Sequence, residues 1–157
     1  PDIMKIQIIK RIVYAVLIIL WMITIFEFSN QNGDTSQGTS DVITDKIIEI
    51  NSDLENKRDQ VSFCVRKLAH FSIYLIGGIL AFGFFDTYSL QKKYVIVFAL
   101  MFGIVYASLD EFHQSFISGR SAQIPDVCID ICGVITGEII SCFVKKHKKL
   151  LKKEIKN

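Results

Sequence analysis

Two of the four long apolar runs in this chain lack the polar stripe that a helix of a water-soluble bundle carries, and that absence excludes a soluble helical domain. Ile12 to Phe26 is broken only by Thr24, and Tyr94 to Leu109 only by Ser108. Other absences narrow the chemistry. There is no nucleophile elbow, no phosphate loop and no assured triad, so Ser29, Ser36 and Ser72 are nucleophile candidates only by default. There is no C-x-x-C, no Cys/His cluster at zinc spacing and no H-E-x-x-H. The four cysteines, Cys64, Cys128, Cys132 and Cys142, therefore read as small residues packed within a membrane rather than as a framework. No cofactor is expected; a divalent cation held by Glu111, Asp126 and Asp130 with the histidines is the one metal alternative. No inverted repeat is detectable, which leaves little for a transport pathway.

What is present is segregated. Half of the 157 residues are hydrophobic, beside 18 basic and 16 acidic ones; with a mean hydropathy of +0.36, the apolar residues must fall in blocks. Leu68 to Phe85 is interrupted by His70, Ser72 and Tyr74, and Val127 to Val144 by Asp130, Thr136, Glu138 and Ser141. Each of the four runs, with a few flanking residues, reaches the roughly 20 residues that span a hydrocarbon core of about 30 Å. The expectation is an all-α, polytopic bundle of four transmembrane helices in a single domain, 4–157, with helices at about 10–28, 66–86, 92–110 and 125–145. Phe26 to Ser29 lacks an A-x-A cleavage pattern, so the first run reads as a retained helix rather than a signal peptide. Pro1 to Ile3, ahead of Met4, reads as a remnant of a tag junction.

Charge orients the spans. Lys5, Lys10 and Arg11, then Lys92 and Lys93, then the basic tail 145–157 belong on the cytoplasmic side, while loops 29–67 and 110–126 are acidic on balance and belong outside. Both termini are then cytoplasmic. Directly after a membrane span, the tail favours anionic lipid, by about 1 kcal/mol per Lys or Arg, over nucleic acid. In the long outer loop, Ser29 to Gly38 reads as flexible. Thr39 or Ser40 can cap a helix at about 40–58, with Asp41 in its first turn and Ile43, Ile47, Ile50 and Leu54 forming an apolar face. Such a helix would lie on the outer membrane surface or cover the bundle as a lid.

Helical spacing then gathers six residues at one face of the membrane: Lys67, His70, Asp110, Glu111, Asp126 and Asp130. Lys67, His70 and Tyr74 share a stripe on the second helix, and Asp110, His113 and Gln114 another on the third. On the fourth, Pro125 suits a first turn, Asp126 and Asp130 lie one turn apart, and Gly133 and Gly137 continue the stripe as a packing G-x-x-x-G. A carboxylate as deep as Asp130 is costly unless it faces the bundle interior and meets a cation or water; Lys67, His70 and Arg120 are the cations at that depth. Glu27 ends the first helix on the same side, and Glu138 sits deeper. His70 with one or more of Asp110, Asp126 and Asp130 forms a candidate acid–base set. Lys67 and Arg120 would hold a phosphate or other anionic head group, with Tyr74, Glu111, His113 and Gln114 around it.

Phe28-Ser29-Asn30-Gln31 with Ser36, Lys67-Leu68-Ala69-His70-Phe71 with Tyr74, Asp110-Glu111-Phe112-His113-Gln114, Gly119-Arg120, and Asp126 with Asp130 and Gly133 stand in this order between the hydrophobic runs. Together they resemble the VanZ-like membrane proteins, from the first helix to the end of the fourth. The resemblance implies a multi-pass protein of the bacterial cytoplasmic membrane, adds Ser29 and Gln31 to the binding site, and links the chain to low-level teicoplanin resistance without a change in the peptidoglycan precursor terminus. It implies no defined reaction. Two functions remain: an enzyme acting on a phospholipid or polyprenyl-linked envelope precursor that enters between helices, or a binding protein for a lipid head group or a lipoglycopeptide. A small transporter is the weaker third. The number of polar groups gathered at a water-restricted site favours the enzyme, and oligomeric state is not legible.

Overall fold

The computed structural model describes residues 2–120 and 123–155, with residues 34–36 described by their backbone alone. All four apolar runs are helical: α1 (Asp2–Ser29), α3 (Arg58–Asp86), α4 (Lys92–Gln114) and α5 (Ile124–Glu154) are each long and apolar enough to cross a membrane. Between α1 and α3 lie α2 (Gly33–Ile50) and a 3-10 turn (Ser52–Lys57). Among the described residues there is no strand. Large apolar side chains such as Ile12, Val16, Ile23, Val105 and Phe143 stay on the outside, as lipid-facing surfaces require.

The helices run past the apolar runs at several ends. α4 continues to Gln114 because Asp110, Glu111 and Gln114 are buried against neighbouring helices rather than released into a loop. α3 begins at Arg58, nearly three turns before the apolar run that opens at Leu68, and α5 carries the basic residues on as helix to Glu154. α2 starts at Gly33, inside the stretch whose composition reads as flexible, and its side toward α3 differs from the expected one. Ser40, Thr44 and Ile48 are buried, whereas Ile43 is 48% and Ile50 87% exposed. Thr44 Oγ1 donates to the Ser40 carbonyl (2.9 Å), so its hydroxyl is satisfied within the helix, and Ser62 Oγ donates to Asp41 Oδ1 (3.0 Å), tying α2 to α3.

α3 packs against α1, α2, α4 and α5 and is the centre of the bundle. Its closest partner is α5, which runs parallel to it. A Cβ on Gly133 would collide with the Phe71 carbonyl, and one on Gly137 with the Leu75 carbonyl. The G-x-x-x-G is thus a backbone-to-backbone seam, and Val134, between its glycines, fills the space left by Gly78 of α3 and Gly103 of α4. α1 docks through Trp21, whose indole N–H donates to the Ile73 carbonyl (2.8 Å) while its ring lies over Gly77 and meets Tyr74 edge-on. Tyr106 adds a bond from α4 to the Met22 carbonyl (2.8 Å). Of the cysteines, Cys142 packs between helices; Cys64, Cys128 and Cys132 are exposed, so they line the outer surface instead of the helix seams.

The two ends of the bundle differ in charge. At one, Arg11 reaches the hydroxyl and carbonyl of Thr87 (3.4 Å each) and lies over the Tyr88 ring, and Lys145 pairs with Asp86. Lys92 and Lys93 open α4 at this end. The other end holds α2, the start of α3 and α5, and the end of α1 and α4. Replacing Gly133 by Leu should force α5 off α3; overpacking costs about 1–3 kcal/mol, read as a lower thermal-unfolding midpoint in detergent. An unchanged midpoint would show that the seam is loose.

Candidate functional site

At the α2 end, four helices turn polar side chains inward. Asp110 lies one turn inside the end of α4, where it is buried on the floor of a cavity, and its carboxylate is satisfied from three helices. Ser29 Oγ, from the last turn of α1, donates to Oδ1; Tyr74 OH of α3 (3.2 Å) and Gln114 Nε2 of α4 (3.0 Å) donate to Oδ2. Gln114 Nε2 also lies 3.4 Å from Ser29 Oγ. The four groups form one closed knot, which suits a buried charge in a low-dielectric medium.

The parallel α3–α5 seam generates a second array. With Gly133 against Phe71 and Gly137 against Leu75, one turn of α5 faces one turn of α3 throughout. Continuing the register toward the α2 end brings Asp130 to His70 and Asp126 to Lys67. Lys67 Nζ pairs with Asp126 Oδ1, and His70 Nδ1 lies 3.4 Å from Asp130 Oδ1, an ion-pair distance rather than a tight hydrogen bond. Asp130 is fully buried, and neither of its oxygens has a hydrogen-bond partner among the described residues. Glu111 takes a different task. Its Oε1 accepts the N–H of Gln123 (2.7 Å), the cap residue of α5, while Oε2 stays unpartnered among the described residues.

The α4–α5 connection folds back over this end. Gly119 has φ +76°, where a side chain is strained, and the Gly33 N–H donates to the Ser118 carbonyl (3.2 Å), holding the loop to the start of α2. The turn aims Arg120 inward, and its Nη2 donates to the Phe28 carbonyl at the end of α1 (3.2 Å). Burial lowers the Arg120 guanidinium below its ordinary value, Asp110 and Glu111 oppose that, and Arg66 adds to it; an arginine remains cationic throughout.

Two cavities meet here. One, of about 170 Å³, lies between α1 and α3 under α2, walled by Ile25, Phe28, Ala69 and Ile73 and floored by Ser29, Tyr74 and Asp110, with Gln31, Thr39 and Ser40 at its rim. The other, of about 240 Å³, is polar, with Lys67, Asp126, Gln114 and Gln123 on its walls and Gly33 and Gln37 of α2 above. Arg66, His70 and Arg120 line both.

Of the residues singled out from the sequence, His70, Asp130, Lys67, Asp126, Asp110, Tyr74, Gln114, Ser29, Gln31, Glu111 and Arg120 stand at this end, bordering the cavities or bonded to residues that do. His113 does not join them: it stacks on Phe26 of α1 (centroids 4.9 Å apart), because positions three and four residues beyond Asp110 fall on either side of it, about 100° apart around the helix. Glu27 is exposed, and Glu138 is buried deeper along α5 with Oε1 unpartnered among the described residues. The side chain of Ser36 lies outside the described residues. Among the described residues no group of three or more His, Cys, Asp or Glu side chains is placed to hold a metal ion. The sequence reading missed Arg66, which beside Lys67 at a helix end reads as an interface charge; its spacing of i, i+4 with His70 was the available signal.

A family model described as VanZ/LLP1 matches residues 14–145. No curated protein and no solved structure matches the chain.

The Asp110 knot predicts a stability signature. Tyr74→Phe removes one bond to a charged acceptor and should cost about 1.5–3 kcal/mol, and Asp110→Ala, which strands three donors, should cost more. Because the two remove one interaction, the double variant should lose less than the sum of the singles; additive losses in thermal unfolding would mean the contact carries nothing.

Proposed function

The chain belongs to the VanZ/LLP1 family, and from that premise we propose that it is a multi-pass protein of the bacterial cytoplasmic membrane whose α2 end faces outward and acts on an envelope lipid or lipid-linked precursor. The observation that carries the reading is the junction of an apolar cavity and a polar one at His70, Arg66 and Arg120. An amphiphile fits such a pair, chain against Ile25, Phe28 and Ile73 and head group toward Lys67, Asp126 and Gln123. The excess of lysine and arginine at the opposite end supports cytoplasmic termini.

His70 and Asp130 are the acid–base pair in this reading. Asp130 orients the imidazole through Nδ1, which leaves Nε2 turned away from it to take a proton from the bound head group and return one. Asp126, paired with Lys67, shapes the polar cavity, and Asp110 holds the helices together.

A second reading, capture without chemistry, has its own support. Asp110 is occupied by three donors and Lys67 by Asp126, which leaves His70–Asp130 as the histidine–carboxylate contact for proton transfer among the described residues at this end. The occupant would then be a lipid head group or a lipoglycopeptide with its acyl chain in the bilayer, which accords with the teicoplanin resistance that the family resemblance implies.

Mass spectrometry of a bacterial envelope lipid extract incubated with purified protein separates the two, run beside folded His70→Ala and Asp130→Asn variants. A lipid whose mass changes with time in the wild type, with the rate falling at least about 100-fold in either variant, is the expected result. A lipid that co-purifies unchanged would retire the acid–base role and leave capture.

A further inference from the structure

Charge pairing at the α2 end leaves a remainder. Lys67 is matched by Asp126 and His70 by Asp130; Asp110 is saturated by hydroxyl and amide donors, and Glu111 receives a backbone N–H. None of the ion pairs among the described residues includes Arg66 or Arg120. The Nε of Arg66 is buried with no hydrogen-bond partner among the described residues, and Arg120 reaches one neutral carbonyl, that of Phe28. Two guanidiniums, one from α3 and one from the loop before α5, therefore border the same two cavities with no ion-pair partner among the described residues. A cation held in that state is costly, and an anion placed between the two offsets their desolvation and their mutual repulsion by direct attraction.

We propose that Arg66 and Arg120 together bind the phosphate of a phosphorylated lipid, seated where the apolar cavity opens into the polar one. The proposal deepens the lipid-site reading above and rests on it. A guanidinium presents paired N–H donors that match phosphate oxygens, and two forks arriving from different elements suit a tetrahedral group better than a planar carboxylate. The surroundings select a lipid over free phosphate. Ile25, Phe28, Ala69 and Ile73 wall the cavity on one side of the arginines, and a soluble ion would leave that apolar space unused. On the other side Gln114, Gln123 and the Lys67–Asp126 pair offer donors and acceptors to whatever polar group the phosphate carries. Of Lys67 and Arg120, the cations that the sequence marks for this task, Lys67 is committed to Asp126; Arg66, one residue earlier, takes its role beside Arg120.

The test is binding of farnesyl phosphate, farnesol and inorganic phosphate to the full chain in dodecyl maltoside, a detergent without phosphate. Farnesyl phosphate should bind at least about tenfold more tightly than either control, and Arg66→Ala and Arg120→Ala should each weaken it by about tenfold or more. Arg66→Ala should keep or raise the thermal-unfolding midpoint without ligand, because it removes a half-buried cation whose Nε has no hydrogen-bond partner among the described residues. Farnesol binding as tightly as farnesyl phosphate would overturn the anion site, and inorganic phosphate doing so would overturn the lipid assignment. If either alanine variant unfolds, Arg66→Lys and Arg120→Lys decide: weakened binding in a folded protein supports the arginine pair, and unchanged binding overturns it. The assay reads occupancy and not product. An occupied site without turnover retires the acid–base reading alone, and turnover by a protein indifferent to both arginines retires this one alone.

Discussion

A carboxylate placed inside a bundle built to face hydrocarbon must be met by donors, and Asp110 is where this chain meets that demand. Its oxygens draw on Ser29 of α1, Tyr74 of α3 and Gln114 of its own helix. No two helices could satisfy it as well as three, so the charge sets how α1, α3 and α4 converge at the α2 end. The apolar contacts below, Trp21 with Tyr74 and Tyr106, are non-directional and would tolerate small rotations. The hydrogen-bonded knot tolerates fewer. Because Ser29 and Tyr74 also floor the apolar cavity, the interaction that fixes the helices fixes the shape of the space a ligand would enter.

The other half of the site depends on a contact that has no polar atom from a side chain in it. Glycines at 133 and 137 bring α5 against the backbone of α3, and since the two helices run parallel, their turns advance together. Lys67–Asp126 and His70–Asp130 are the next two rungs of that register. Had α5 run antiparallel to α3, the same residues would have met at one crossing point and diverged on either side. Close packing thus does for this array what hydrogen bonding does for Asp110.

The four apolar runs declared the fold because hydrocarbon imposes length and composition on any span, whatever it packs against. The helix ends were harder to read. Asp110 to Gln114 look like a chain leaving the membrane, and their burial against α1, α3 and the start of α5 was not visible in α4 alone. α2 misled for a related reason. Its isoleucines at spacings of three and four suggest the inward face, yet Ser40, Thr44 and Ile48 lie inward, since small hydroxyl residues allow a close approach to α3 and bond locally. His70, Asp126 and Asp130 could be gathered from spacing on single helices; Arg66 could not be told from Lys67, because which of two adjacent cations finds a carboxylate depends on the rotation of α5. His113 erred in the same way, one residue off the face that carries Gln114.

Stability and function pull the cations of this site in opposite directions. A protein that only needed to stand in a membrane would match every buried charge or replace it with an apolar side chain, because an unmatched one lowers stability. Lys67 obeys that rule, while Arg66 and Arg120, both half-buried, have no ion-pair partner among the described residues. Arg66 lies on the central helix, and Arg120 on a loop tied to the start of α2 by the Gly33 N–H to Ser118 carbonyl bond. His70 lines both cavities with them, its Nδ1 committed to a buried carboxylate and its far nitrogen turned away from that carboxylate. Two guanidiniums without an ion-pair partner among the described residues, lining the same cavities as an oriented imidazole, form an arrangement that is incomplete by itself. An anionic group brought in from the bilayer supplies the missing charge, and in doing so is held beside the imidazole.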